Sequence, residues 1–367
     1  KYDYTHILDQ LERFTLPDVK YFGWNQHFIH GKTKLIEEVS TWNLTSLRYG
    51  ENCMIEDCLP RSDTHAGFSY ILTGKKEKGM YREGLLREYM SEVEKAKKEG
   101  SFNKPILIGT RTQANNPFDS LTGEKNHEYK DKSRLVSMID IYVIMAELAF
   151  AKRLQTKFST LKWYAGGKND TTIWQILMIW RNQYSHWLSI DYSKFDQSIS
   201  AWLIYEAFDI MRQAYKHDKY FDDELFKIVR EDFIHKVFID GDCNLIQADR
   251  GVPSGSMFTQ LVDSIVNRLM IDTYMHKLGI SDYQMMIMGD DNIIFTNVEI
   301  DRDELSSYLL RNFGIEMHSS KCDYGKTSDS DPIFLSRYWR KNGVWRLPEL
   351  LVAKIVYPER WRDYDRY

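Results

Sequence analysis

The sequence predicts an α+β fold, on three observations. Apolar residues recur at helical spacing over 139–158, 171–184, 201–217, 222–238, 256–278 and 301–313. Short apolar runs meet across compact turns at 237–246, 283–296 and 334–347. Each pair of runs reads as a β-hairpin, so the sheets should be antiparallel. A chain of 367 residues suits two or three lobes around a sizeable core.

The hairpin at 283–296 organises the rest. Its apolar runs, 284–288 and 293–295, flank Gly289-Asp290-Asp291-Asn292 at the bend. Two adjacent carboxylates at the tip of a buried hairpin are costly unless something pairs with them. A hard divalent cation such as Mg²⁺ relieves that cost. Neighbouring strand residues point in opposite directions, so Asp290 and Asp291 should not serve one ion equally. Taken alone, an acidic surface turn explains the same residues.

The N-terminal hundred residues are mixed. They hold a Gly-bearing loop, Asp63 to Ser69, and a charged helical pattern over Met80–Lys98. Residues 104–131 read as a loop running into Lys130, Lys132 and Arg134. Alternation would put those three cations on one strand face, suited to a triphosphate; a solvated charge run is the plainer account. Two helices at 139–158 and 171–184 look like core. A short strand then carries Asp191 to its end, and a helix begins near Gln197. Asp191, ending an apolar strand, needs a partner. Asp196 could cap the following helix. Next, the Gly251–Gly255 loop opens a helix, so its free N–H groups could meet phosphate oxygens. On that helix Thr259, Asp263 and Asn267 recur every four residues, a polar stripe among apolar neighbours. After the organising hairpin come a helix at 301–313, a strand at 314–318 and Lys321. The final hairpin turns at Asn342-Gly343.

Composition narrows the classes. Net charge is −4 and the pI about 6.2, so any nucleic-acid path must be a local basic lining. Aromatic residues make up 14%, suited to packing and base stacking. Cys53, Cys58, Cys243 and Cys322 show no CxxC pairing and suit reduced thiols. The N-terminus is polar, unlike a signal peptide, and the apolar runs are too short to span a bilayer. Lys at position 1 suits a piece of a longer product.

Taken in order, the pieces resemble the palm of viral RNA-dependent RNA polymerases, especially the picobirnavirus and partitivirus type. Asp191 and Asp196 resemble motif A. Ser254-Gly255, Thr259, Ser264 and Asn267 resemble motif B, and Gly289-Asp290-Asp291 motif C. Lys321 falls at the motif D lysine, and 334–340 resembles the motif E primer grip. Lys132 and Arg134 resemble motif F, and Thr64 to Gly67 more faintly motif G. The resemblance covers roughly 60–347. It implies a right hand with fingers over 1–186 and a further piece at about 215–250. The palm, an antiparallel sheet backed by helices, spans 187–347, and a short or truncated thumb begins at 348–367. It implies Mg²⁺, or Mn²⁺ in its stead, on Asp191, Asp290 and Asp291, and Lys321 as the group meeting pyrophosphate. Lys132, Arg134, Asp196, Ser254, Gly255, Thr259 and Asn267 would bind the nucleotide. Gly67, Arg337 and Trp339 would touch RNA. Template and product RNA and NTPs are the implied partners, with capsid protein as a candidate. The implied locations are the virion interior and the host cytoplasm, without membrane insertion. One position departs from the pattern. Many relatives with positive-sense single-stranded genomes carry Asn four residues after the motif B Thr, whereas here it is Asp263, with Asn267 one turn on.

A reverse transcriptase shares the palm, but the relatives that use deoxynucleotides carry a bulky aromatic residue where Asp196 stands. A non-catalytic RNA-binding palm would be expected to have lost a metal carboxylate, yet Asp191 and Asp290 are both present. A nuclease would leave motif B unexplained.

Overall fold

The computed structural model describes residues 4–17, 25–49, 51, 53, 65–73, 84–113, 132–217 and 219–348. Thr64, Lys130 and the segment expected to begin a thumb lie outside them. Its helices are α1 (Tyr4–Glu12), α2 (Gln26–Ser40), α3 (Leu85–Glu99), α4 (Ile141–Phe158), α5 (Asp170–Gln183) and α6 (Phe195–Ser198). They continue with α7 (Ala201–Gln213), α8 (Asp223–Ile234), α9 (Thr259–Lys277) and α10 (Arg302–Phe313). The strands are β1 (Ile106–Gln113), β2 (Lys132–Met138), β3 (His186–Ser189), β4 (Lys236–Ile239), β5 (Leu245–Ala248), β6 (Tyr283–Met288) and β7 (Asp291–Thr296). After them come β8 (Asp323–Lys326), β9 (Ile333–Phe334), β10 (Arg337–Arg340) and β11 (Gly343–Trp345).

The central sheet has strand order β6-β7-β3-β8, all antiparallel. Both of its faces are covered. Leu188, Met285, Ile287 and Ile294 join the main core, whereas Trp187, Met286, Ile293 and Phe295 meet Leu177 and Trp180 of α5. Double burial explains why these strands read as unbroken apolar runs rather than alternating ones. A second sheet, β2-β1-β4-β5, joins residues 106–113 and 132–138 to 236–248 through the parallel β1–β4 pair. The third, β11-β10-β9, is the expected C-terminal hairpin with one added strand.

Local chemistry sets the helix starts. Asn25, Asp140, Asn169 and Asp301 each accept backbone N–H bonds at the head of α2, α4, α5 and α10. Helix α9 packs against α2, α7 and β6, and every residue from Leu261 to Met275 is buried. The polar stripe therefore does not face water, and each polar side chain in it needs a partner. Arg268 pairs with Asp272 at 3.2 Å and with Glu38 of α2 at 2.6 Å. Thr273 donates to Leu269 O at 2.6 Å. Asp263 is the exception taken up below.

Several boundaries differ from the sequence reading. Part of the stretch read as a loop is strand β1, whose partners β2 and β4 are non-local. The helix read through to Phe238 stops at Ile234, because 236–239 pairs with both β1 and β5. The helix read from Ser256 starts at Thr259. Residues 314–318 form no strand; Met317 makes one isolated bridge to Tyr192. The expectation of reduced thiols is corrected at Cys53, which is disulfide-bonded, and holds for Cys243 and Cys322, which are free; Cys58 lies outside the described residues. Among the described residues, no helix is long and apolar enough to cross a membrane.

Candidate active site

The β6–β7 register runs to Met288 opposite Asp291, leaving Gly289-Asp290 as a two-residue turn. Gly289 has φ +67°, the conformation that a two-residue hairpin turn needs at its first position and that glycine adopts without strain. Asp290 and Asp291 are exposed to solvent, and Asn292 behind them is buried. Pairing thus runs further into the bend than the sequence suggested.

Strand β3 lies between β7 and β8. Its register with β7 pairs Leu188 with Ile294, and with β8 it pairs Ser189 with Asp323. Continued to the end of the strand, the β3–β7 register sets Asp191 beside Asp291, whereas the 3₁₀ turn at Ser319–Lys321 and the Tyr192–Met317 bridge break the β8 register before Lys321. Hydrogen bonds hold that end in place. Ile190 N donates to Asn292 Oδ1 at 3.2 Å, His318 N to Asp191 O at 3.0 Å, and Asp191 N to Cys322 Sγ at 3.5 Å. Lys321 is exposed, in a short 3₁₀ turn. Although the Asp291 residue is solvent-exposed, the protein crowded around the hairpin tip partly desolvates its carboxyl, and that, then the charges of Asp290 and Asp191, push it upward. Burial and the Asp191 charge likewise raise Asp323.

Asp196 sits inside the first turn of α6, where the N-cap position is Lys194. Its carbonyl accepts from Val252 N at 2.7 Å, stitching the Asp191–Asp196 segment to the loop before α9. Burial, then Asp290, raise its carboxyl to about 7, and the Arg134 charge opposes the rise. Asp263 is 3% exposed, and its Oδ1 finds no hydrogen-bond partner. Burial, Asp196 and Asp290 hold it well above the usual carboxylate range. A raised folded-state pKa means that folding favours the protonated form. The cost of Asp263 is therefore absent below the unfolded pKa of about 4 and grows as pH rises above it. Asp263→Asn removes that cost, so its Tm should exceed the parent's, with a gap that widens from pH 4 to pH 8. Melting curves across that range check it; a constant gap would show that Asp263 does not titrate this way.

The remaining sequence candidates divide. Arg134 is exposed on β2 opposite Arg111; of Lys132 only its place in β2 is described. Ser254 is exposed, accepts from Ser137 N at 3.2 Å and reaches Leu135 O at 3.4 Å. A Cβ on Gly255 would stand 1.9 Å from Ser137 O, so only glycine lets the loop lie on β2. Thr259 donates its hydroxyl to Pro253 O at 2.8 Å or Ser256 O at 3.0 Å. Asn267 is fully buried, and its amide donates to Gly289 O and Asp290 O. Gly67 is buried against the backbone of Asp140. Arg337 pairs with Asp170.

Trp339 requires a correction: it is 0% exposed, with Nε1 donating to Phe334 O at 2.9 Å, so it packs the hairpin and offers RNA no surface. Sequence reasoning missed Asn292 and Tyr192 as parts of the site's frame, and named Ser264 only through its resemblance to motif B. A polar residue inside an otherwise apolar strand or helix was the available signal.

Among the described residues, no three His, Cys, Asp or Glu side chains group tightly enough to cage a metal ion. A Mg²⁺ ion in phosphoryl transfer uses one or two carboxylates, substrate phosphates and water. Asp191, Asp290 and Asp291 fit that kind of site. They are hard oxygen donors, exposed, and their like charges disfavour one another in the way Asp291 registers.

Comparisons agree with this geometry. A family model described as viral RNA-dependent RNA polymerase matches residues 24–356. The genome polyprotein of human parechovirus 2 (strain Williamson) is 27% identical over 275 residues, 71% of this chain and 12% of that protein. The RNA-directed RNA polymerase of Cryptosporidium parvum virus 1 (strain KSU-1) is 29% identical over 177 residues, 44% of this chain and 31% of that one. The chain thus spans less than a third of the length of these relatives. The crystal structure of the RNA-dependent RNA polymerase of a human picobirnavirus superposes with a TM-score of 0.73 at 15% identity. That match covers 100% of this chain and 67% of the other. The fold is that of a right-hand polymerase.

Proposed function

Because the chain belongs to the viral RNA-dependent RNA polymerase family, we propose that it adds ribonucleotides to an RNA 3′-OH under the direction of an RNA template. The observation that carries this reading is the meeting of Asp191 with Asp291 at the end of the central sheet, beside the Gly289–Asp290 turn. Such a meeting brings metal-type carboxylates from two strands together, with Lys321 on the 3₁₀ turn that leads into β8.

The family uses divalent metal ions, and Asp191, Asp290 and Asp291 are the residues that would hold Mg²⁺ or Mn²⁺. When bound, such ions stabilise charge on the attacking and leaving oxygens of an in-line displacement. Arg134, joined by Lys132, would draw in the triphosphate, since guanidinium and phosphate pair well. Asp196 and Asp263 would meet the ribose hydroxyls. Specificity for the template would come from base pairing, so protein contacts should fall on backbone and shape. Residues 1–186 with about 215–250 would form the fingers, a reading supported by the sheet that joins 106–113 and 132–138 to 236–248. Action inside a particle and in host cytoplasm rests on the resemblance alone, as does capsid protein as a partner.

The test is template-dependent incorporation of labelled NTP on a defined RNA primer–template with Mg²⁺ or Mn²⁺. Incorporation that ignores the template sequence, or none in either metal, would overturn the proposal. Lys321 has its own test. As the proton donor to pyrophosphate, it should slow single-turnover incorporation by about 10²-fold or more when changed to Leu, with nucleotide affinity moving less. An unchanged rate would make it a surface lysine.

A further inference from the structure

Asn267 accounts for its whole hydrogen-bonding capacity inside the protein. An amide side chain has two donors and an oxygen with two lone pairs. Here Nδ2 donates to Gly289 O at 2.9 Å and Asp290 O at 3.2 Å. Oδ1 accepts from Tyr192 OH at 2.9 Å and Asn292 Nδ2 at 3.4 Å. The opposite amide orientation would face oxygen to two carbonyls and nitrogen to two donors, so this one alone satisfies every partner. Asn267 is 0% exposed. Nothing remains with which to bond a ribose hydroxyl.

Its partners form a frame. Asn292 Oδ1 accepts from Ile190 N at 3.2 Å, next to Asp191, and Asn292 Nδ2 also reaches Asp290 O at 3.4 Å. Ser264, one turn before Asn267 on α9, accepts from Gly289 N at 2.9 Å. The N–H and C=O of Gly289 and the C=O of Asp290 are thereby held from α9. Through Tyr192 and Asn292 the same residue reaches the end of β3. Two segments bearing carboxylates, remote in sequence, share one buried amide.

We propose that Asn267 is a positioning residue that reads no substrate and sets the spacing between the Asp191 strand end and the Gly289–Asp290 turn. The inference rests on the polymerase reading above and deepens it. Groups of this kind, one bond behind metal-binding carboxylates, typically change metal affinity or activity by about 10–100-fold when removed. They do so without altering which substrate is preferred.

The test uses Asn267→Ala, Asn292→Ala, their double variant and Tyr192→Phe. Each is measured for single-turnover extension, NTP:dNTP preference, Mn²⁺ affinity by calorimetry without RNA, and melting. Asn267→Ala should lose about 10–100-fold in both rate and Mn²⁺ affinity, with the NTP:dNTP ratio unchanged. The double variant should be little worse than the poorer single one, because the two amides act as a unit. Tyr192→Phe keeps the ring and removes one bond, so it should show a smaller loss of the same kind; it carries the test if Asn267→Ala does not fold. A collapsed NTP:dNTP ratio at unchanged Mn²⁺ affinity would make Asn267 a sugar reader. A lowered Tm with rate and affinity intact below it would make its role purely structural. Either result overturns the proposal. A parent chain that binds Mn²⁺ yet extends no primer would instead sink the polymerase reading, leaving the affinity arm to judge Asn267.

Discussion

Primer extension by Asp290→Asn should fall by about 10³-fold or more, while RNA binding and folding persist. The substitution keeps the shape of the side chain and removes its charge. Losing one metal ligand costs several kcal/mol of transition-state stabilisation, and each ~1.4 kcal/mol is tenfold in rate. Folding should be spared because the turn is held by backbone bonds to Ser264 and Asn267, not by the Asp290 side chain. Stability should hold or rise, since Asp290 is a like charge acting on Asp291, Asp196 and Asp263. Single-turnover extension, an RNA-binding titration and a melting curve together check this. Extension near the parent rate would remove Asp290 from the site.

The second large effect concerns sugar choice. Asp196→Ala should lose most of its preference for ribonucleotides, mainly through slower use of NTP. A site built to bond a hydroxyl can reject the analogue lacking it by about 10⁴-fold, because polar groups are then left unpaired. Asp196 is poised for that role, close enough to Asp290 and Asp263 to feel both charges, while Lys194 holds the N-cap position of α6. The capping alternative makes an opposite forecast: a loss of about 0.5–2 kcal/mol in stability and an unchanged ratio. The sign of the pKa shift separates them further. Burial and the Asp290 charge raise Asp196 to about 7, so its ionised form is disfavoured in the folded state. Between pH 4 and 7 that shift lowers stability as pH rises. Removing the carboxyl should therefore leave Tm equal or higher at pH 8. Values of kcat/KM for a matched NTP and dNTP, beside melting curves, decide. An unchanged ratio with a lowered Tm would return Asp196 to helix capping.

Much of the architecture was legible because its signals are local. The hairpin at 283–296 declares itself by two apolar runs and a Gly at the bend, and the Asn342-Gly343 turn by its dipeptide. Helix α4 shows its period, though it was read from 139 and the Asp140 cap sets its start at Ile141. Strand β1 escaped because its partners are non-local and its sequence, Ile106 to Gln113, holds Gly109 and a polar end. The 314–318 segment looked like a strand from composition, yet sheet pairing resumes only at β8. Within the site, the carboxylates could be named because their types are unusual in apolar company. The polar stripe of α9 could be seen, but not the direction each member faces. Thr259, Asp263 and Asn267 look alike by spacing. Only the packed structure shows one bonded to the loop before its own helix, one whose Oδ1 finds no hydrogen-bond partner and one consumed by the turn.

The pairing of α2 with α9 also sets when the chain can fold. Glu38 and Arg268 meet although they stand 230 residues apart, and Phe28, Leu35 and Val39 of α2 are fully buried. On the ribosome, α2 emerges long before the helix that covers it. At roughly 5–20 residues per second, its apolar face waits on the order of 10–50 s for α9 to be made. Contacts so distant along the chain carry a loop-closure cost that must be met before they stabilise anything. The central sheet, whose strands come from residues 186–189, 283–296 and 323–326, is bound by the same delay. The sheet end that carries the candidate site therefore assembles only after residues 323–326 are made, and until then the apolar face of α2 is exposed to aggregation or chaperone capture.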